Sequence, residues 1–530
     1  MIRTSLTDPS AVPPSVSLMM RHAFDRWPER TFLVSDSVEY TYADADRETD
    51  RVASLLAAGG VRVDTHVAVL MHNSASMVWT LLAIARLGAI GVPLNVEAKG
   101  GLLRYYLADS QSTHMVVDNE IVRTVADAWL DLEPMAVWTT GVAPVRRPEF
   151  AASIASLTDE ASARVGLVER TLTDPFLFMY TSGTTGPSKA VVVPNGHATG
   201  TAVLIADRFE LTPDDRHYTC LPLFHANAYW YTLLPAMSIG SAVILGRRFS
   251  ASNFWSDIDA QGATITNVMG TMLQILIRAD PNPVERENDL NRIFVVPFPV
   301  DPVSVEERFG AKLMTTYALT EWIPVALSSP GEGYDRREMA GPVLPYSDVR
   351  IVNDVDEDVE TNMIGEIILR ARRPWARMIE YFDKQEESEK AFRNGWFHTG
   401  DLGRVDVDGY LYFVGRKKDA IRRRGENISA YELEMLLAAH PKIAELAAIP
   451  FASELGEEDV AVVVLAQPGC DLGPEEVLEF AQRTLPRYMV PTYIRIVDAL
   501  PKTATSKIEK YRLIAEADRS PELFWRRPGR

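Results

Sequence analysis

The sequence predicts an α/β protein with a large N-terminal domain and a small C-terminal one. Three observations carry this. With 530 residues the chain is too long for a single core. Its first four-fifths alternates helical and strand patterns, the rhythm of layered, largely parallel sheets. After "GYLYFVGRKKDAIRRRGENIS" the pattern gives way to a compact helix–strand–strand–helix unit.

In order along the chain, "DADRETDRVASLLAAGG" has apolar residues at helical spacing and ends on glycines, which predicts a helix and its stop. "HVAVLMHN" predicts a buried strand and "ASMVWTLLAIARLG" the next helix. The apolar stretch "TLLAIARLGAIGVPLNV" is broken by Arg86, two glycines and a proline, so a buried helix running into a strand is expected there, with no membrane span. The rhythm returns at "SAVILG", at "ITNVMGTMLQILIRA" and near "AKLMTTYALTE". The small unit comprises helix "AYELEMLLAAH", strands "IAELAAIP" and "DVAVVVLAQ", helix "PEEVLEFAQRTL" and a basic tail. The large domain is placed at 1–416 and the small one at 419–530. Ligands are expected at sheet ends and between the domains.

Fifty-four basic residues against 72 acidic ones give a net charge of −18, which argues against a nucleic-acid backbone as partner. An anionic ligand would need a local site. Cys220 and Cys470 make neither a disulfide framework nor a zinc cluster, so a reducing cytoplasm is expected. The opening "MIRTSLTDPSAVPPSVS" has no apolar segment of signal-peptide type.

"YTSGTTGPSKAVVV", Tyr180 to Val193, is the densest chemistry-bearing stretch. Holding a polyphosphate requires backbone that can aim N–H groups at oxygens, plus hydroxyls and a cation. Thr181, Ser182, Thr184 and Thr185 offer hydroxyls, Gly183 and Gly186 backbone freedom, and Lys189 the charge. The spacing is neither that of a Walker A loop nor that of a dinucleotide fingerprint. The plain alternative is a polar loop between strands.

This stretch resembles the phosphate loop of the adenylate-forming (ANL) superfamily, and the chain looks like an AMP-dependent acyl-CoA synthetase/ligase. Four further segments resemble the family's motifs in its order: "YALTE", "GWFHTGDLG", "GRKKDAIRRRGENIS" and "PKTATSKIEK". The resemblance implies a β-barrel-like part in the large domain, a mobile small domain, and a hinge at 417–418. It also implies ATP or acyl-AMP, Mg2+ and coenzyme A as cofactors. A carboxylate attacks the α-phosphate of ATP, and a thiol then attacks the acyl-adenylate, so cations and oriented dipoles are needed where charge builds up.

By the same resemblance Lys507 bridges carboxylate and α-phosphate, although Lys502 and Lys510 beside it make a solvated tail the plain alternative. Glu321 holds Mg2+ and Thr320 donates to the α-phosphate, unless the two simply cap a helix. Tyr317 stacks on adenine, Asp401 accepts from the ribose hydroxyls, and Arg416 adds a donor. Lys418 is the hinge. Gly425 offers bare backbone to the thiol arm, and Arg424 is a CoA contact within a run, Arg422 to Arg424, that otherwise reads as a solvated face. In "LPLFHANAYW" His225 stands at the mouth of the acyl pocket as a binding group, and Tyr229, Trp230, Met269, Phe298 and Trp322 are candidate lining residues or ordinary core. Amino-acid-activating relatives carry aspartate after this phenylalanine, and here Phe224 is followed by His225, which points to an acid without an amino group.

The pattern is broken at Ala190, Ala318, Glu380 and Ser506, all glycine-prone in the family, and at "VVPFPVD", Val295 to Asp301. These departures raise the reading that adenylation is impaired and thioesterification of an acyl-adenylate survives. The leading expectation is an acyl-CoA ligase for a hydrophobic, non-amino carboxylic acid, with a homodimer as the default assembly. The alternatives are a stand-alone adenylating enzyme that loads a carrier-protein thiol and a non-catalytic nucleotide-binding relative. Oxidative luciferase chemistry has no positive support.

Overall fold

Buried apolar runs such as "HVAVL" and "RIFVV" become inner strands of two seven-stranded sheets. The computed structural model describes residues 12–128, 135–141, 154–157, 164–181, 188–299, 301–336, 339–353, 355–416, 421–423, 426–428, 430–453, 458–501, 508 and 510–528. Residue contacts divide the chain into two units. One comprises Met1–Val96, Tyr106–Met179 and Ala190–Gly415; the other comprises Glu97–Tyr105, Tyr180–Lys189 and Arg416–Arg530.

The first sheet runs Lys312–Met314, Arg292–Val296, Ile265–Met269, Arg216–Thr219, Ala242–Leu245, Thr31–Ser35 and Val38–Thr41. All its strands are parallel except the last, an antiparallel edge. The second runs Ile154–Ser156, Ala136–Thr139, His114–Val117, His66–Leu70, Ile90–Pro93, Pro175–Thr181 and Lys189–Pro194. Helices cover these sheets, as parallel strands buried on both faces require. The helix Tyr42–Ala58 starts on a capping box: the Thr41 hydroxyl accepts from the Asp44 N–H, and the Asp44 carboxylate accepts from the Thr41 N–H. It ends at Gly59, within the predicted glycine stop. "TLLAIARLGAIGVPLNV" is a buried helix, Ala75–Arg86, running into the strand Ile90–Pro93, as expected. Among the described residues no helix is long and apolar enough to cross a membrane.

The parallel sheets are followed by a six-stranded antiparallel sheet formed by Met339–Pro342, Ser347–Val352, Gly365–Ala371, Phe392–Arg393, Trp396–Val405 and Tyr410–Arg416. This is the part for which the resemblance implied a barrel-like form. A separate two-stranded hairpin, Thr316–Leu319 with Trp322–Leu327, precedes it.

In the second unit the strands Ile443–Ala452, Glu458–Ala466, Tyr493–Val497 and Trp525–Arg526 form one sheet. The predicted basic tail is more than a tail: it holds two of these strands and the helix Lys510–Arg519, whose Leu513 and Ala517 are buried four residues apart. Its few apolar positions, diluted by charge, are enough to anchor it.

Arg423 corrects the expectation of a solvated arginine run. It is 1% exposed, ion-paired with Asp459 at 2.6 Å, and donates to the carbonyls of Tyr488 and Val490 and to the Thr492 hydroxyl. A planar guanidinium with five donors suits such a site. Removing one member of a buried ion pair strands the other, at a cost of about 3–5 kcal/mol. Arg423→Ala should therefore lower the denaturant midpoint of the unit containing it by a corresponding amount, read by urea unfolding.

His197, in the helix Asn195–Arg208, is fully buried against Trp230, with ring centroids 4.7 Å apart. Neither ring nitrogen has a hydrogen-bond partner among the described residues. Burial pushes its pKa down from 6.5 to about 3. The unfolded chain therefore binds a proton below pH 6.5 that the folded chain refuses, and stability falls as pH drops from 6.5 towards 3. His197→Leu should flatten this acid limb, by up to about 1.4 kcal/mol per pH unit, in thermal unfolding followed from roughly pH 4 to neutrality.

Candidate functional site

The motif residues of the large unit converge on the Thr316–Leu327 hairpin. Tyr317 is 6% exposed, and its hydroxyl donates to Asp401 Oδ2 at 2.8 Å across 84 positions of sequence. Asp401 is itself 1% exposed. It lies in the strand Trp396–Val405, where its N–H donates to the Thr399 hydroxyl at 3.0 Å and that hydroxyl donates to the Ile367 carbonyl at 2.7 Å. Gly400, immediately before it, has φ +69°, a conformation side chains rarely adopt, which explains the glycine in "HTGD". The Tyr317 ring stacks on Phe413, centroids 6.0 Å apart, so one face of this tyrosine is already covered.

Thr320 and Glu321 do not cap a helix. They form the two-residue turn of the hairpin, between the paired Leu319 and Trp322. Both are partly exposed. The Glu321 carboxylate accepts from the Tyr381 hydroxyl at 2.9 Å, and its carbonyl accepts from the Met378 N–H at 2.7 Å. The turn is thus fastened on both its backbone and its side chain.

"LPLFHANAYW" begins in a loop clamped by Asn73. The Asn73 amide donates to the carbonyls of Leu221 and Gly246 at 2.8 and 3.1 Å and accepts from the Leu223 N–H at 2.9 Å. His225 follows, partly exposed, its ring against Phe224 at 4.6 Å. Tyr229–Leu233 is a π-helical turn ahead of Pro235, whose missing N–H suits a locally rewound helix. Of the candidate lining residues, Met269 is partly exposed; Tyr229, Trp230, Phe298 and Trp322 are 0–4% exposed. Trp322 belongs to the packing: its indole N–H donates to the Ser347 hydroxyl at 2.7 Å, and its ring stacks on Phe397 at 5.4 Å. Burial without a partner among the described residues pushes the Tyr229 hydroxyl pKa up.

The glycine departures have a common backbone setting. Ala190 lies buried in the strand Lys189–Pro194, and its carbonyl accepts from the Phe382 N–H at 2.8 Å. Val192 exchanges bonds with the same segment, donating to the Glu380 carbonyl and accepting from the Ile379 N–H, both at 2.9 Å. Ala190 and Glu380 therefore flank one antiparallel bridge, Val191 with Tyr381. Ala318 sits where the hairpin register shifts between Tyr317 and Leu319. None of the three has a positive φ. Of the two costs a side chain could carry at such positions, crowding a ligand or demanding a glycine-like dihedral, the second is absent here. In the Val295 to Asp301 stretch Phe298 is buried and Val300 lies outside the described residues.

In the second unit, Thr181 closes the strand Pro175–Thr181, Lys189 opens the next, and the Ser188 carbonyl accepts from the Tyr105 hydroxyl at 2.7 Å. Arg416 ends the strand Tyr410–Arg416. Ser182, Gly183, Thr184, Thr185, Gly186, Lys418, Arg424, Gly425, Ser506 and Lys507 lie outside the described residues. Sequence reasoning missed Asn73, Tyr381 and Phe413. Only Asn73 left a signal, as a polar residue closing the predicted strand "HVAVLMHN".

Comparison with known proteins agrees with this architecture. The family model of AMP-binding enzymes matches residues 20–376, and that of the AMP-binding enzyme C-terminal domain matches residues 432–507. The chain belongs to the AMP-binding enzyme family. It is 33% identical over 492 residues to indoleacetate–CoA ligase of Aromatoleum aromaticum, covering 92% of this chain and 93% of that one. To a probable CoA ligase of Humulus lupulus it is 31% identical over 506 residues, covering 94% and 95%. A solved structure of o-succinylbenzoate CoA synthetase from Bacillus subtilis superposes with a TM-score of 0.80 at 26% identity, covering 94% of this chain and 98% of that one.

Tyr317→Phe removes one donor to a buried carboxylate. A hydrogen bond to a charged group is worth about 1.5–3 kcal/mol, and a loss of stability in that range is expected by denaturant unfolding.

Proposed function

We propose that this protein is an AMP-forming acid–CoA ligase that activates a hydrophobic carboxylic acid lacking an amino group as its acyl-adenylate and transfers the acyl group to coenzyme A. The observation that carries it is the buried Tyr317–Asp401 hydrogen bond beside the partly exposed Thr320–Glu321 turn. Two motifs 84 residues apart are held together, which supports a site in which an aromatic face, an acceptor and a cation ligand would serve a nucleotide's base, ribose and phosphates.

Asp401 would accept from the ribose hydroxyls, Thr320 would donate to the α-phosphate, and the Tyr180–Lys189 segment would hold the outer phosphates of ATP. Glu321 fits Mg2+: one partly exposed carboxylate, steadied by Tyr381, is the kind of ligand set this ion takes when phosphates and waters fill the rest of its shell. Bound there, the ion would neutralise phosphate charge. Lys507 would bridge the acid's carboxylate and the α-phosphate in the first half-reaction. A turn at Lys418 would then exchange Lys507 for Gly425, past which the thiol arm reaches the acyl carbon. The aromatic acid of the Aromatoleum relative supports a bulky aryl acid for this chain, and His225 in place of an acidic residue after Phe224 supports one without an ammonium group.

The bridge flanked by Ala190 and Glu380 favours intact adenylation over an impaired one, since backbone strain supplies no reason for impairment. The test is a screen of carboxylic acids with ATP and CoA, with AMP and pyrophosphate measured separately. Both products should appear in equal amounts with a thioester. Lys507→Ala should slow pyrophosphate release by about a hundredfold or more while leaving CoA-ester formation from synthetic acyl-adenylate nearly unchanged. Pyrophosphate release in the unmutated enzyme far slower than thioester formation from the acyl-adenylate would establish impaired adenylation instead.

A further inference from the structure

Two amides meet at the end of the parallel sheet. Asn267 lies in the strand Ile265–Met269 and is 3% exposed. Asn227 follows His225 by two residues and is partly exposed. Asn267 Nδ2 donates to Asn227 Oδ1 at 2.6 Å, and Asn227 Nδ2 reaches Met269 Sδ at 3.8 Å. Asn267 Oδ1 is buried with no hydrogen-bond partner among the described residues.

The place matters as much as the pair. Met269 is in register with Val296 at the carboxyl ends of two parallel strands, the side of such a sheet on which ligands bind. The next residue, Gly270, lies so close to Pro297 that a Cβ there would sit 2.8 Å from its Cδ. Met269, Gly270, His225 and Asn227 are all partly exposed, so they present an accessible face. An amide oxygen has two lone pairs, and Asn227 Oδ1 uses one on Asn267. The thioether is a poor acceptor for the Asn227 N–H. Among the described residues the pair is thus under-satisfied, which is unusual for buried polar groups.

We propose that Asn227, oriented by Asn267, selects acids that carry a neutral hydrogen-bond donor, a ring N–H or a hydroxyl, on their hydrophobic body. The inference rests on the ligase reading and sharpens its substrate class. Asn227 Oδ1 accepts from that donor, and Asn267 is a positioning residue. Neither amide is charged, so this pair offers an ammonium group no counter-ion. An acid without a donor leaves the second lone pair of Asn227 Oδ1 desolvated and unused, which is how a site built for hydrogen bonding rejects an analogue.

The test compares matched acids on the intact enzyme: indole-3-acetate against benzofuran-3-acetate, and 3-(4-hydroxyphenyl)propionate against 3-(4-methylphenyl)propionate. In at least one pair kcat/KM should favour the donor-bearing acid by about tenfold or more. Asn227→Leu should abolish that preference while turning over the donor-free acid at least as well as the unmutated enzyme does, a gain that misfolding cannot produce. Asn267→Leu should raise KM for the donor-bearing acid alone, with kcat little changed. Equal kcat/KM within both pairs in the unmutated enzyme, or equal losses for both members in Asn227→Leu, would overturn the inference and leave the ligase reading standing. No turnover of any acid with ATP and CoA would overturn the ligase reading and this inference with it.

Discussion

The hydrogen bond from Tyr317 to Asp401 ties a two-stranded hairpin to the antiparallel sheet, and the geometry of the candidate site depends on that tie. A lone hairpin is at best marginally stable. This one is held along its whole length. The Leu344 N–H donates to the Val325 carbonyl at 2.8 Å, Trp322 is bridged to Arg377 and bonded to Ser347, and Glu321 is fixed by Met378 and Tyr381. At its other end Arg208 donates to the Leu327 carbonyl at 2.8 Å. The Thr320–Glu321 turn is consequently accessible yet immobilised, the combination needed by groups that must meet a charged ligand without an entropic cost for their own ordering.

An acidic chain that handles anionic ligands must place its cations with care, and much of its arginine is committed to structure. Arg86 pairs with Asp46 and Asp50, Arg308 with Glu285, and Arg336 with Asp406 and Asp408. Arg423 is the extreme case, a buried guanidinium that gathers carbonyls from the segment Tyr488–Val490. Its position inside a run of three arginines gave no hint of this, because sequence reports charge but not depth. The stretch looked like a solvated face when its middle residue is core.

How much was legible follows from the range of the interactions. Helices such as Tyr42–Ala58 and strands such as His66–Leu70 follow from local periodicity and caps, and both appear where the pattern puts them. The Lys510–Arg519 helix was hidden because its buried positions among the described residues, Leu513 and Ala517, are few and diluted by charge. At the site, Tyr317, Glu321 and Asp401 could be named because they sit in short motifs. Two of their partners could not: Tyr381 and Phe413 come from distant segments whose own sequence carries no chemistry. Asn227 was within reach, two residues beyond His225, but the importance of an amide there depends on Asn267, which only the fold brings beside it.

The glycine departures show why a missing motif residue needs a dihedral before it means anything. Taken as isolated losses, Ala190 and Glu380 suggest two injuries to a nucleotide site. The backbone makes them one feature, since the bonds Phe382 to Ala190, Val192 to Glu380 and Ile379 to Val192 join both segments around the Val191–Tyr381 bridge. Glycine weakens such pairing through its conformational entropy, and a side chain stiffens it. Ala190 fills a position that is 0% exposed, so its methyl group meets protein atoms there. A side chain at each of these positions thus exchanges freedom of the strand Lys189–Pro194 for firmness at its root. What they change is how tightly the Lys189–Pro194 strand is anchored, and any effect on nucleotide chemistry would have to pass through that anchoring.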